Sequence, residues 1–101
     1  MNELFQAVEN WSKDKGLDKA DPTKQFLKVA EEFGEIGAAM ARSQENELKD
    51  AIGDTTVTLI ILAQQHGLTL QECLETAYNV IEKRTGKMVE GVFIKQEDLE
   101  G

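Results

Sequence analysis

Apolar residues recur every three or four positions through most of this chain, and its single proline, Pro22, stands at the head of the longest such run. That spacing gathers apolar side chains on one face of an α-helix, whereas a half-buried strand would alternate them at every second position. Asp21-Pro22-Thr23 reads as a cap followed by a first-turn proline, and the stripe Phe26, Val29, Ala30, Phe33, Ile36, Met40 predicts a helix to about Ala41. An earlier helix carries Leu4, Phe5, Val8 and Trp11 and stops at Lys13 to Gly16. A third, capped by Ser43 or Asn46, places Leu48, Ala51, Ile52, Thr55, Leu59 and Leu62 on a core face and ends at His66-Gly67. Thr69 with Glu72 forms a capping-box pattern for a fourth, carrying Leu74, Ala77, Tyr78 and Ile81 until Arg84 and Gly86 close it. Met88 to Ile94 then suits a short strand pair or an extended arm, and Lys95 to Gly101 a mobile end. The expected fold is all-α, a four-helix bundle-like subunit in a single domain over 1–101, with 86–101 as its tail.

With 101 residues, 41% of them hydrophobic, the chain can bury one modest core. Nineteen acidic against eleven basic residues leave a net charge of -8, which repels polyanions and provides no footprint for duplex nucleic acid. A bound divalent cation inverts the local sign of an acidic site, so a small phosphorylated ligand remains compatible with this charge. Cys73 is the lone cysteine, and MNELFQAVENW has neither the basic region nor the apolar run of a secretion signal, so a reducing cytoplasm is expected. The longest unbroken apolar run, Leu59 to Ala63, falls far short of the roughly 20 residues that span a bilayer, and no membrane association is expected.

The third helix carries a second seam, Glu47, Asp50, Asp54, Val57 and Ile61, acidic in its first half and apolar in its second. Val57 and Ile61 should face another helix or subunit, so the same line carries the three carboxylates toward a partly enclosed groove. On the second helix Glu32 and Glu35 stand beside the apolar stripe, with Glu31 adjacent and Lys28 one turn earlier. Taking like-charged carboxylates out of water without a partner costs several kcal/mol each. A cation between them removes that cost, and Mg²⁺, a hard ion that takes oxygen ligands and shares its sites with phosphates, suits the set. The competing reading is a solvated acidic rim on a non-catalytic helical interaction or regulatory module.

Glu31-Glu32-Phe-Gly-Glu35, then Glu47-Leu-Lys-Asp50-Ala-Ile-Gly-Asp54, an apolar helix to Leu62-Ala63, and Ala77-Tyr-Asn-Val-Ile-Glu-Lys-Arg84 together resemble the MazG-type all-α nucleoside triphosphate pyrophosphohydrolases. The resemblance covers about Phe26 to Arg84, and the tail Gly86 to Lys95 is similar to that of short, single-domain members. It implies hydrolysis of (d)NTP to (d)NMP and pyrophosphate, with Mg²⁺, or Mn²⁺ in its place, held by an EExxE block and an ExxD block. Carried over, Glu32 and Glu35 match the first block, led by Glu31. The second fits two registers, Glu47 with Asp50, or Asp54 with Ala51 in the glutamate position and Asp50 beside it. The implied ligands are Glu32, Glu35, Asp50 and Asp54, supported by Glu47, and the implied base for the attacking water is Glu35 or Glu31. Lys83, Arg84 and Lys87 cluster at the end of the fourth helix, where cations either complement its dipole or bind phosphate, and family position suggests Lys83 and Arg84 for phosphate with Asn79 as a polar substrate contact.

Lys95 is a weaker phosphate candidate, Trp11 and Phe5 read as core before base-stacking residues, and His66 reads as a helix cap. Without a Glu-x-x-His motif, a ferritin-like di-iron bundle is disfavoured. Apolar residues on nearly all sides of the third helix between Val57 and Ala63 predict a homodimer or homotetramer. A phosphohydrolase acting on another phosphorylated metabolite is a further alternative.

Overall fold

The computed structural model describes residues 2–100, with side chains described for 3–99. It is mostly helical, with one small antiparallel strand pair near its C-terminal end. The chain forms two compact units, Met1–Leu70 and Gln71–Gly101.

In the first unit, α1 (Asn2–Asp14) is followed by a 3₁₀ turn at Leu17–Lys19, α2 (Pro22–Ala41) and α3 (Glu45–Gln65). Gly16, at φ 74°, turns the chain out of α1. Asp21 caps α2 as expected, its carboxylate accepting from the Thr23 amide at 2.9 Å with proline in the first turn. Neither Ser43 nor Asn46 caps α3. The cap position belongs to Gln44, whose side chain makes no capping bond, and Asn46 lies inside the helix. Ser43 instead takes a left-handed φ of 55°, reversing the chain so that α3 folds back along α2. His66 occupies the C-cap of α3 and Gly67 follows at φ 74°, as the sequence indicates.

The α2–α3 pairing departs from the expected stripe by one position. The line of α2 that packs inward is Gln25, Val29, Glu32, Ile36 and Ala39, all half-buried or buried, while Phe26, Ala30, Phe33 and Met40 are exposed. A one-residue shift turns a helix face by about 100°, and here it carries Glu32 toward the partner helix. On α3, Ala51 and Thr55 are buried and Leu48 and Leu62 half-buried, but Ile52 and Leu59 face outward, and the core continues through Thr58, Ile60, Ile61 and Ala63. Two threonines are tolerated there because each hydroxyl donates to its own helix: Thr55 Oγ1 to the Ala51 carbonyl at 2.8 Å and Thr58 Oγ1 to that of Thr55 at 2.7 Å. Glutamine amides join the elements. Gln25 donates to the Thr58 carbonyl (3.0 Å), Gln64 to that of Glu9 (3.1 Å) and Gln65 to that of Leu17 (3.0 Å).

In the second unit, α4 (Leu70–Ile81) ends at the last residue of its apolar pattern, short of the Arg84 and Gly86 expected to close it, and Glu82 and Lys83 already form a turn. Leu74, Tyr78 and Ile81 are exposed and Cys73 half-buried. The alternative of a strand pair is the one adopted: β1 (Gly86–Val89) pairs antiparallel with β2 (Val92–Lys95). Glu90 and Gly91 join them, both at positive φ (49° and 81°), the pattern of a type I′ hairpin turn. Where a mobile end was expected, Gln96–Glu100 forms a short helix, α5; Gly101 lies outside the described residues. Among the described residues, no helix is long and apolar enough to cross a membrane.

Candidate active site

The displaced packing line of α2 and the acidic seam of α3 meet in one cavity. Glu32, Glu35, Glu47, Asp50 and Asp54 line it together with Ala39, Ala51 and Arg42, around a volume of about 250 Å³. Small side chains make the room. Ala39 and Ala51, 4% and 5% exposed, sit where the helices approach, and any longer side chain there would fill the space the carboxylates face. The alanine in the ExxD position is thus part of the cavity wall, and Glu47, Asp50 and Asp54, the acids of both registers, reach the same space.

The five acids differ in setting. Glu32 is half-buried, whereas Glu35, Glu47, Asp50 and Asp54 are exposed at the cavity rim. None of the five forms an ion pair among the described residues. Glu31 is placed differently: it does not line the cavity, and it pairs with Lys28 at 3.8 Å. Among the described residues, no three acidic, histidine or cysteine side chains stand close enough to hold one ion as they are placed. The donor set nonetheless fits Mg²⁺ in kind, because it offers only carboxylate oxygens, free of ion pairs, around a shared space. Holding an ion there requires these side chains to draw inward.

Arg42, at the C-cap of α2, is a wall residue that the sequence reading passed over. Its signal was position, a cation at the turn that separates the two acidic blocks. Beyond Glu32 and Asp54 the groove opens into a second cleft of about 480 Å³, where Trp11, Leu17, Val57 and Ile61 supply apolar surface and Lys24 and Lys28 supply charge. Val57 and Ile61 do face other elements, as their seam predicts, and Trp11 lines this cleft while 47% exposed. Phe5 belongs to a third cleft, between α1 and α3, which shares Asp50 and Asp54. In the second unit, Lys83, Arg84 and Lys95 line a separate cavity of about 440 Å³, in which Lys95 pairs with Glu97 at 3.4 Å. Asn79, on exposed α4, and Lys87, on β1, do not line it.

The chain belongs to the phosphoribosyl-ATP pyrophosphohydrolase family, whose profile matches residues 1–93. That family lies within the MazG-like all-α NTP pyrophosphohydrolase superfamily, so the MazG-type resemblance holds at the level of the superfamily. A relative from Haemophilus phage HP1 (strain HP1c1), described as an uncharacterized 18.2 kDa protein in the rep-hol intergenic region, is 39% identical over 67 residues. The alignment takes in 65% of this chain and 41% of that relative, so the chain spans less than half the relative's length. No solved structure matches.

Proposed function

We propose that this chain is a Mg²⁺-dependent pyrophosphohydrolase that converts a nucleoside triphosphate, (d)NTP, into the monophosphate and pyrophosphate. The observation that carries this reading is the single cavity lined by five carboxylates from two consecutive helices, in a chain of pyrophosphohydrolase family. Glu32, Glu35, Asp50 and Asp54, with Glu47, would hold Mg²⁺, with Mn²⁺ as a substitute. Mg²⁺ held by these residues would supply Lewis-acid polarisation of phosphoryl oxygens and would offset the charge that develops during phosphoryl transfer.

The chain's own groups do the rest. Glu35 takes the proton of the attacking water as the water oxygen bonds to the phosphorus that carries the nucleoside, and the bond from that phosphorus to the bridging oxygen breaks. Glu35 is preferred over Glu31 because it lines the cavity, while Glu31 is engaged by Lys28 outside it. Lys83 and Arg84, which share a cavity, are phosphate contacts in this reading, with Asn79 and Lys87 as lesser candidates. The substrate is small, the setting cytoplasmic and the active species a homodimer or homotetramer.

The test is a panel of common and damaged nucleoside triphosphates, with phosphoribosyl-ATP included, scored for pyrophosphate in Mg²⁺ and in chelator. Release from at least one member, abolished by chelator and in Asp54→Asn, is the expected result. Orthophosphate as the product would point to a different phosphohydrolase. A flat panel with indifference to metal would leave a non-catalytic helical module.

A further inference from the structure

The acidic groove of the first unit is asymmetric along its length. Toward the α2–α3 turn it is lined by Arg42 and Glu47, and the cavity's apolar lining is only Ala39 and Ala51. At the other end, past Glu32 and Asp54, it opens into the cleft of Trp11, Lys24 and Lys28. Arg42 is the cation of the carboxylate cavity, while Lys24 and Lys28 stand in the adjoining cleft with Asp21, Lys28 also pairing with Glu31. At 1.5 Å per residue, Arg42 lies about 15 Å along α2 from Glu32, and Lys24 about 12 Å on its far side.

Arg42 has five carboxylates around its cavity and, among the described residues, no ion pair with any of them. Its place is set by the backbone, since it caps α2 immediately before the left-handed Ser43. A guanidinium is always charged and suits the two-point recognition of a phosphate.

We propose that the polyphosphate lies along this groove in one direction, with its terminal phosphates on Arg42 and its nucleoside in the Trp11 cleft. This assignment rests on the pyrophosphohydrolase reading and adds to it a binding residue and a polarity. The carboxylate cavity itself offers only Ala39 and Ala51 as apolar lining and no aromatic ring, whereas Trp11, Leu17, Val57 and Ile61 provide a seat for a base in the adjoining cleft. Arg42 consequently holds the pyrophosphate leaving group. Lys24 and Lys28 stand on the nucleoside side of the carboxylates.

Calorimetric titration of the full chain with pyrophosphate in Mg²⁺, and separately with AMP and dUMP, tests the direction. Arg42→Ala should weaken pyrophosphate about tenfold and leave monophosphate binding within about twofold of wild type, with Arg42→Lys between the two. Equal pyrophosphate affinity in wild type and Arg42→Ala, no measurable pyrophosphate binding by wild type, or a loss that falls on the monophosphates would each overturn the proposal. Because Arg42 is exposed, the thermal midpoint of Arg42→Ala should match wild type. If it does not, Arg42→Gln, which keeps the length of the side chain, carries the comparison. Pyrophosphate release from a triphosphate by wild type, with pyrophosphate affinity unmoved in the variants, sinks the polarity and spares the reaction. A triphosphate panel without product, chelator-independent throughout, sinks the reaction itself.

Discussion

Asp54 sits at the junction of three clefts, shared by the carboxylate cavity, the Trp11 cleft and the Phe5 cleft, so it senses both its acidic neighbours and any bound ion. Without metal, it adds to repulsion along the groove, and Asp54→Asn should raise stability in chelator slightly, by at most about 1 kcal/mol given its exposure. With metal the order reverses. An ion that binds only the folded chain at a hundredfold excess over its Kd adds about 2.7 kcal/mol, and the variant should lose much of that gain. Denaturant titrations of both proteins, each with chelator and with Mg²⁺, measure the crossover; parallel shifts in the two proteins would exclude Asp54 as a ligand. A similar single-residue argument applies to the core. Ile60 is 2% exposed, and Ile60→Ala should cost about 2–5 kcal/mol through lost burial and an unfilled cavity, read from the same titrations.

Among the elements, the C-terminal hairpin depends on one close approach. A Cβ at Gly86 would run into the carbonyl oxygen of Ile94 and come within 2.8 Å of the Phe93 ring, and the oxygen belongs to backbone that cannot swing away. Gly86→Ala should destabilise the hairpin by about 1–3 kcal/mol and raise amide exchange in β1 and β2, leaving α2 and α3 protected. Unchanged exchange in both strands would refute it. Helix existence was legible from periodicity, and the Asp21-Pro22 start and His66-Gly67 stop of helices were legible from their caps. What periodicity could not tell was which of two adjacent faces of α2 packs on α3. Both faces carry apolar residues, and the chosen one is identified by Gln25, whose bond to the Thr58 carbonyl has no counterpart in a hydrophobic pattern. The acids of the site were legible as a set because they interrupt apolar seams. Their grouping in one cavity, the separation of Glu31 from it and the presence of Arg42 required the helices in place.

For the molecule as a whole, the apolar surplus lies somewhere other than expected. Between Val57 and Ala63, α3 buries Ile60, Ile61 and Ala63 within its own unit, leaving Leu59 as the exposed member. Uncovered apolar residues lie on α4 and the hairpin, and on α2 they form a stripe: Phe26, Phe33 and Met40, at 60%, 68% and 64% exposure, recur every seven residues with Ala30 and Gly37 between them. In the homo-oligomer proposed above this stripe is the natural contact, and covering each phenylalanine contributes about 1.5–3 kcal/mol. Phe33→Asp should therefore shift wild-type dimers or tetramers toward monomer in sedimentation velocity. A wild-type monomer at all concentrations would rule this assembly out. Finally, every carboxylate of the cavity lies between Glu32 and Asp54, on two successive helices and the turn joining them. Loops this short close quickly, and contacts so near in sequence form early in folding. One helical hairpin, continuous in sequence, thus carries the whole set of cavity acids, and the residues that complete its surroundings come from elsewhere in the chain.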